Sequence, residues 1–258
     1  MRVVVALHAV TEGRGPRLVL VHGFTQTQAC WGSITEDLAA DHEVRRLDAP
    51  GHGGSSAVRA DLVEGARWIA DAGGPATYLG YSMGGRFLLH LALARPEVVG
   101  GLVVIGTTGG IDDEAERAER RRADEALADQ IEEEGVEAFV DRWLAQPLFA
   151  GLDEASRFRL ERVTGNTAEG LSSSLRLAGT GTQAPVWDQL HRIDAPVLVV
   201  AGALDTKYTA LGRRLVEAIG ANATLAVIDG AGHTAHLEQP RAFLETLRNW
   251  QRTTRWQP

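Results

Sequence analysis

Short apolar runs rich in β-branched residues alternate along the chain with segments that repeat apolar positions at helical spacing. Runs of this kind, bounded by turn residues, are typical of strands buried on both faces of a parallel sheet. The pattern predicts strands at residues 17–22, 44–48, 76–81, 101–105, 196–201 and 224–229. It predicts helices at residues 31–40, 60–72, 83–94, 208–219 and 239–252. The sequence therefore predicts an α/β fold with a mostly parallel, twisted sheet flanked by helices.

The first residues predict one further strand, at residues 2–9. The turn Gly13-Arg14-Gly15 separates it from the strand at residues 17–22, and a glycine-rich turn of this kind is typical of an antiparallel hairpin. We therefore expect the leading strand to pair with its neighbour in sequence.

The alternation of strands and helices stops after Ile105. Residues 111–184 are strongly charged and helical in pattern, and strands resume only after Pro185 and Pro196. We interpret residues 111–184 as a helical cap inserted into a core formed by residues 1–110 and 185–258. Its arginine cluster could simply lie on a solvated helix face, paired with acidic side chains at three- and four-residue spacing. The cluster consists of Arg117, Arg120, Arg121 and Arg122.

The composition limits the partners that the chain can have. Its 258 residues carry a formal net charge of -8, which argues against general binding to nucleic acid or to an anionic membrane surface. An anionic ligand would have to be bound by locally placed arginines. The single cysteine, Cys30, cannot form an internal disulfide, and we expect it to be a small buried residue in a protein of a reducing compartment, the cytoplasm. The first apolar run is too short for a signal peptide, and we expect no membrane span.

The segment Gly80-Tyr81-Ser82-Met83-Gly84 joins a predicted strand directly to a predicted helix. A serine hydroxyl is both a weak nucleophile and a weak base, so it needs an exposed position, an imidazole within reach and donors for a developing oxyanion. The flanking glycines allow backbone and helix to pack closely around such a turn. A Gly-x-Ser-x-Gly motif alone is common, but between a strand and a helix it predicts that Ser82 is reactive.

Two further side chains at strand ends complete a predicted catalytic triad. His233 lies on a glycine-rich loop after the last strand, at the edge of the sheet where Ser82 is also expected. Asp205 follows the penultimate strand, where its carboxylate would orient the imidazole, and the order serine, aspartate, histidine is the one expected for this arrangement. His236 is the alternative base, although we expect it to start the next helix or to lie at the pocket rim. No third ligand accompanies the two histidines, so no metal site is predicted.

The loop after the strand at residues 17–22 begins with His22-Gly23-Phe24. It would direct the backbone N–H of Phe24 toward the serine, where it would form an oxyanion hole with the N–H of Met83. We expect His22 to hold this loop by a hydrogen bond. Asp48 and His52, in the next glycine-rich turn, are expected to stabilise that turn.

Arg86 lies one helical turn after Ser82, on the same helix face. Burying this cation near the pocket is costly unless an anion meets it. Because Arg86 follows the serine motif at this spacing, the chain resembles the 2-succinyl-6-hydroxy-2,4-cyclohexadiene-1-carboxylate synthase family. The members of this family are lyases of menaquinone biosynthesis in the α/β-hydrolase superfamily. The similar segments are residues 22–24, 48–55, 80–86, 146–149 with Trp143, 202–208 and 230–236.

The resemblance implies elimination of pyruvate from 2-succinyl-5-enolpyruvyl-6-hydroxy-3-cyclohexene-1-carboxylate, a small polycarboxylate, without a metal or an organic cofactor. It implies a triad of Ser82, Asp205 and His233, oxyanion amides from Phe24 and Met83, and substrate contacts from Arg86, Arg120, Tyr81 and Trp143. A third family arginine matches less closely, because Arg162 is near its position but Thr164 occupies the gapless match.

Two other functions share many of these residues. A serine carboxylesterase or related hydrolase would use the same triad through an acyl-enzyme, with Ser82 as the nucleophile. A non-catalytic binding module of the same fold would be expected to have an incomplete triad. Dehalogenases and epoxide hydrolases of this fold use an aspartate where this chain has Ser82, so they are not expected.

Overall fold

The computed structural model describes residues 6–254, and in this range the chain forms a seven-stranded sheet flanked by helices. The strands are β1 (Ala9–Glu12), β2 (Arg17–Val21), β3 (Glu43–Leu47), β4 (Ala76–Tyr81), β5 (Val99–Ile105), β6 (Val197–Gly202) and β7 (Ala223–Ile228). The helices are α1 (Ser33–Ala39), α2 (Leu62–Gly73), α3 (Met83–Ala94), α4 (Glu114–Leu144), α5 (Arg159–Gly165), α6 (Ala168–Ala178), α7 (Thr206–Ile219), α8 (Ala235–Glu238) and α9 (Pro240–Thr253). The predicted α/β class is confirmed.

The strand order in the sheet is β1-β3-β2-β4-β5-β6-β7, and β2 to β7 are parallel to one another. Every residue of β4, β5 and β6 is buried, which explains why their sequences read as continuous apolar runs. The predicted inner strands and their helices agree with the structure to within about two residues, as is usual for sequence-based boundaries.

The predicted leading hairpin is wrong. The first strand of the described residues lies at Ala9–Glu12 instead of residues 2–9, of which residues 2–5 lie outside the described range. It pairs antiparallel with β3, with Ala9 opposite Leu47 and Glu12 opposite Val44. Strand β2 already forms hydrogen bonds with β3 on one edge and β4 on the other, so the first strand can add only at the free edge of β3.

The two faces of the sheet carry separate apolar cores. On one face, α2 approaches α3 so closely that a Cβ atom on Gly65 would lie 2.4 Å from Cε1 of Phe87. On the other face, fully buried Trp31 and Phe243 belong to a cluster that joins α1 and α9 to the sheet. Each such buried large side chain contributes about 1.5–3 kcal/mol relative to an exposed one. These cores fix the strand ends that carry the predicted triad.

Helices α4 to α6 form an insertion between β5 and β6, within residues 111–184. Asp113 begins α4 by accepting a 2.8 Å hydrogen bond from the N–H of Glu116, and Gly135 breaks this helix with a φ of 82°. Phe24, from the loop after β2, packs edge-on against Phe139 and Trp143 of α4, with ring centroids 6.3 and 5.3 Å apart. The insertion therefore lies against the loop that was predicted to supply an oxyanion donor. Among residues 6–254, no helix has the length and apolar character needed to cross a bilayer.

Candidate active site

Ser82 occupies a strained turn between β4 and α3. Its backbone φ is 51°, a left-handed value that costs about 1–3 kcal/mol in a residue other than glycine. The turn is held on both sides, because the N–H of Ser82 donates to the carbonyl oxygen of Ile105 at 2.8 Å and its own carbonyl oxygen accepts from Oγ1 of Thr107 at 2.9 Å. The backbone thus presents the hydroxyl at the carboxyl edge of the sheet.

The glycines two residues before and two residues after Ser82 are required by close backbone packing. A Cβ atom on Gly84 would lie 2.0 Å from the carbonyl oxygen of Val21 in β2. A Cβ atom on Gly80 would lie 2.7 Å from the carbonyl carbon of Gly84. Because these neighbours are backbone atoms, they cannot rotate away as a side chain could. The motif therefore reflects the contact of α3 with β2 and β4.

The structure brings Ser82, His233 and Asp205 into one hydrogen-bonded chain. Nε2 of His233 lies 3.3 Å from Oγ of Ser82, and Nδ1 of His233 lies 2.9 Å from Oδ2 of Asp205. The other carboxylate oxygen of Asp205 accepts a hydrogen bond of 3.1 Å from the N–H of Tyr208 at the start of α7. Burial tends to raise the pKa of Asp205, but hydrogen bonds from His233 and Tyr208 hold it below its ordinary value. The carboxylate is therefore ionised and can stabilise a protonated imidazole.

The alternative base, His236, lies in α8 and away from the wall of the cavity above Ser82. Its ring packs against those of Trp31, Tyr81 and Phe243, with centroids 5.1, 4.7 and 6.1 Å away. Burial lowers the pKa of His236 to about 3. It is a neutral packing residue at physiological pH.

The loop between β2 and α1 leaves one amide available close to the triad. Among residues 6–254, the N–H groups of Phe24 and Met83 have no hydrogen-bond acceptor, as an oxyanion hole requires. His22 holds the loop as predicted: Nδ1 donates to the carbonyl oxygen of Gly23 at 2.8 Å, and Nε2 accepts from the N–H of Ala49 at 3.1 Å. Burial lowers the pKa of His22, which keeps the ring neutral in this role.

The next turn is stabilised by Asp48 and His52, also as predicted. Asp48 accepts hydrogen bonds from the N–H groups of Gln28 at 2.7 Å and Gly54 at 2.8 Å. His52 donates from Nδ1 to the carbonyl oxygen of Pro50 at 3.0 Å, and burial lowers its pKa to about 3. Neither side chain lines the cavity at the triad.

A cavity of about 470 Å³ opens above the triad. Its floor contains Ser82, Met83 and His233, and Trp143 lies in the wall contributed by the insertion. The wall contains both apolar and polar residues, a composition suited to a small ligand with a few polar groups. Phe24, Leu127, Leu148, Leu175, Thr107, Thr108, Gln146, Ser174 and Thr180 also line this cavity.

Three cationic side chains line the cavity among the residues that the structure describes: Arg86, Arg120 and Lys207. Arg86 is only 7% exposed, and its Nη1 donates to the carbonyl oxygen of Ala178 at 2.7 Å. No carboxylate between residues 6 and 254 lies within 4.0 Å of it. Burial lowers the pKa of Arg86, because removal from water disfavours the charged form.

Arg120 is anchored by a buried carboxylate. Its Nε donates to Oδ1 of Asp124 at 2.7 Å, one helical turn later, and Oδ2 of Asp124 accepts from the N–H of Gly181 at 3.0 Å. Sequence reasoning did not select Asp124, although its spacing from Arg120 is that of a helical ion pair. It also did not select Lys207, which follows Asp205 by two residues at the mouth of the cavity.

Two predicted substrate contacts lie outside the cavity wall. Tyr81 is buried beside the triad, with its ring centroid 5.4 Å from that of His233. Arg162 is buried behind the Phe24 loop, where its Nε donates to the carbonyl oxygen of Arg157 at 2.8 Å. Trp143, Arg86 and Arg120 do line the cavity, and their contact with a substrate stays a prediction. Among the described residues, no three histidine, cysteine or carboxylate side chains are grouped as metal ligands.

Residues 18–246 match the alpha/beta hydrolase family. The 2-succinyl-6-hydroxy-2,4-cyclohexadiene-1-carboxylate synthase of Salmonella agona (strain SL483) is 32% identical over 251 residues, which cover 94% of this chain and 96% of that protein. A Bacillus subtilis (strain 168) protein, which carries the same name in provisional form, is 34% identical over 240 residues, 88% of this chain and 86% of that one. The chain belongs to this synthase family.

A solved structure agrees with membership of the synthase family. The structure of MenH from S. aureus matches with a TM-score of 0.88 and 28% identity, over 96% of this chain and 98% of that chain. The α/β-hydrolase fold inferred from the resemblance is therefore confirmed, as is the resemblance to the synthases.

Proposed function

We propose that this chain eliminates pyruvate from 2-succinyl-5-enolpyruvyl-6-hydroxy-3-cyclohexene-1-carboxylate to give 2-succinyl-6-hydroxy-2,4-cyclohexadiene-1-carboxylate in menaquinone biosynthesis. Arg86 carries this proposal. Burying a guanidinium whose hydrogen-bond acceptor is a neutral carbonyl oxygen costs free energy. A substrate carboxylate beside the guanidinium offsets that cost. The names of the relatives in the synthase family support the same reaction.

The charges along the cavity wall match those of the proposed substrate. The substrate has carboxylates on the ring, on the succinyl chain and on the enolpyruvyl group, and Arg86, Arg120 and Lys207 line the cavity. Arg120 uses Nε for Asp124, which leaves its two Nη groups for a carboxylate. An ordinary esterase substrate would not require these cations, so the lyase is preferred over the carboxylesterase.

The triad acts as a base in this proposal. His233 takes the proton of Ser82, and Oγ of Ser82 then removes the proton from the ring carbon that bears the succinyl group. The amides of Phe24 and Met83 stabilise the negative charge that develops on the succinyl ketone oxygen. The electron pair moves through the ring double bond and breaks the bond between the ring and the enolpyruvyl oxygen. The proton held by His233 passes to the departing group, which leaves as pyruvate.

The insertion at residues 111–184 acts as a cap in this proposal. It supplies Arg120 and Trp143 to the cavity above Ser82. Covering the cavity reduces its water content, and this strengthens the interaction of the amides with the enolate oxygen. The ligand is a small polyanion and not a nucleic acid, because the charge of -8 disfavours binding to another extended polyanion. We place the reaction in the cytoplasm, since the single cysteine, Cys30, cannot form an internal disulfide, which suits a reducing compartment.

Pyruvate release tests the proposal. The purified protein is incubated with the cyclohexene substrate, and pyruvate is reduced by lactate dehydrogenase with NADH as the optical signal. Ser82→Ala is expected to lower kcat by about 10²–10⁴-fold, because the proton acceptor is lost. Ser173→Ala, a serine outside the cavity lining, is the matched control and is expected to keep the wild-type rate. A wild-type protein that releases no pyruvate, or an equally active Ser82→Ala variant, contradicts the proposal.

A further inference from the structure

Thr25, directly after Phe24, is held in a strained conformation by residues of two other segments, the turn at His52 and the end of α5. Its φ is 67°, a left-handed value that is unfavourable for a β-branched residue, and it is completely buried. Its N–H donates to Nε2 of His52 at 3.3 Å, and its carbonyl oxygen accepts from Nδ2 of Asn166 at 2.8 Å. Its hydroxyl oxygen accepts from Nη1 of Arg162. Every polar group of Thr25 is therefore bonded to a residue distant in sequence.

Arg162 is a buried cation with no anionic partner in the described part of the chain. It is 1% exposed, and no carboxylate among residues 6–254 lies within 4.0 Å of its guanidinium. Besides Thr25, it donates to the carbonyl oxygen of Arg157, and its Nη1 lies 3.5 Å from the carbonyl oxygen of Phe24. Such a charge is costly to bury, so its position needs a reason other than stability. Since Arg162 does not line the cavity, the substrate does not supply that reason.

The end of α5 packs directly against the same loop. Asn166 follows α5, and its Nδ2 also donates to the backbone carbonyl oxygen of Arg162 at 2.8 Å, which fixes the Asn166 amide to the last turn of the helix that carries Arg162. A Cβ atom on Gly165 would lie 2.8 Å from Cγ2 of Thr27. Arg162 and Asn166 thus form one rigid surface behind residues 24–27.

We infer that Arg162 is a positioning residue for the oxyanion hole: with Asn166, it holds the Phe24–Thr25 turn so that the amide of Phe24 faces the reacting oxygen. The inference rests on the oxyanion role proposed for Phe24. Without these donors, the left-handed conformation of Thr25 can relax, and relaxation rotates the peptide units on either side of it. Arg162 therefore couples the insertion to the chemistry without touching the substrate.

Labelling by diisopropyl fluorophosphate tests this role independently of the natural substrate. Oγ of Ser82 forms a bond to phosphorus, the phosphorus–fluorine bond breaks, fluoride leaves, and His233 takes the serine proton. The phosphoryl oxygen becomes negative during attack and needs the same amides as an enolate, but the probe carries no carboxylate. Arg162→Met is expected to lower both the labelling rate and kcat for pyruvate release by about 10- to 100-fold, a part of the effect of losing an oxyanion donor. KM is expected to change by less than about twofold, because the cavity cations are intact.

The matched control is Arg157→Met, which removes a neighbouring guanidinium but keeps the carbonyl oxygen that Arg162 contacts. It is expected to be labelled at the wild-type rate. Thr25→Val removes the hydroxyl acceptor in a residue of the same shape, and a double variant with Arg162→Met is expected to lose much less than the product of the two single effects. Arg162→Lys, which retains one donor, is expected to recover part of the labelling rate.

Two results would overturn the inference. A raised KM with unchanged kcat and labelling would make Arg162 a substrate ligand. A lower melting temperature with unchanged labelling and kcat would make its role purely structural. If Arg162→Met does not fold, Thr25→Val and Arg162→Lys decide by the same measurements. Because labelling needs no pyruvate chemistry, a failed lyase assay leaves this test intact.

Discussion

Nη1 of Arg86 donates a 2.7 Å hydrogen bond to the carbonyl oxygen of Ala178. This bond joins α3, the helix that follows Ser82, to the last residue of α6. The acceptor is neutral, and no carboxylate of the described residues lies within 4.0 Å of this positive charge beside the cavity. One hydrogen bond to a backbone oxygen fixes the guanidinium in place and leaves most of its donors unused. The pair therefore holds a cation with free donors at the cavity wall, as the proposed binding of a substrate carboxylate requires.

Arg86→Met is expected to reduce kcat/KM by about 30- to 4,000-fold, since removing one partner of a desolvated charge pair costs about 2–5 kcal/mol. Steady-state pyruvate release measures the loss. Arg122→Met serves as the control, because Arg122 is exposed on α4 and does not line the cavity. Equal kcat/KM values for wild type and Arg86→Met would show that Arg86 binds no substrate carboxylate.

Asp205→Asn is expected to lower kcat by about 10⁴-fold at neutral pH, with little change in fold. The amide can still accept from the N–H of Tyr208, but its NH₂ would donate to Nδ1 of His233. That tautomer places the imidazole proton on Nε2, which then cannot accept the proton of Ser82. Asp229→Asn, an exposed carboxylate at the end of the neighbouring strand, is expected to be fully active. A kcat for Asp205→Asn near that of Asp229→Asn would exclude this role.

Gly84→Ala is expected to destabilise the fold by about 3 kcal/mol, because the added methyl group meets the backbone of β2. Gly220→Ala is the comparison: its φ is 105°, but a Cβ atom there meets nothing within 4 Å, so only backbone strain of about 1–2 kcal/mol is expected. Urea unfolding followed by tryptophan fluorescence gives both free energies. A Gly84→Ala protein as stable as Gly220→Ala would show that α3 can move away from β2.

Burial of neutral His236 is expected to make folding sensitive to acid. The pKa of His236 is about 3 in the folded protein and 6.5 when unperturbed, so below pH 6.5 the unfolded chain takes up a proton that the folded protein refuses. The stability present above pH 6.5 is lost as pH falls toward 3, at about 1.4 kcal/mol per pH unit. Unfolding free energies between pH 7 and 4 are expected to fall less steeply for His236→Leu. His191→Gln, an exposed control, is expected to follow the wild type, and a parallel curve for His236→Leu would refute the prediction.

The sheet and the edge that carries the site could be predicted from sequence because they depend on strand burial. Buried parallel strands read as apolar runs, and the side chains that follow them, such as Ser82 and His233, must meet at one edge. The pairing of β1 could not be predicted in the same way. Its glycine turn is a local signal, whereas the available edge of β3 depends on where β2 and β4 lie.

The cavity wall was predictable only in part. Arg86 is fixed by its spacing from Ser82 on one regular helix, and the structure places it in the cavity. Arg162 was expected at a substrate carboxylate but lies behind the loop, because α5 is short and begins after Phe158, which has a left-handed φ of 50°. Sequence pattern does not specify the direction of a helix after such a residue. Lys207 was not selected for a different reason: only the packed fold shows that the start of α7 reaches the cavity.

The most direct test of the account follows pyruvate and the mass of the protein together during turnover. The reaction is quenched at a series of times, pyruvate is quantified against substrate consumed, and the intact protein is weighed by mass spectrometry. Proton abstraction by the Ser82–His233 pair predicts one pyruvate for each substrate consumed and no covalent adduct on the protein. Substrate consumption without pyruvate, accompanied by an acyl adduct on Ser82, would contradict the lyase and identify a hydrolase.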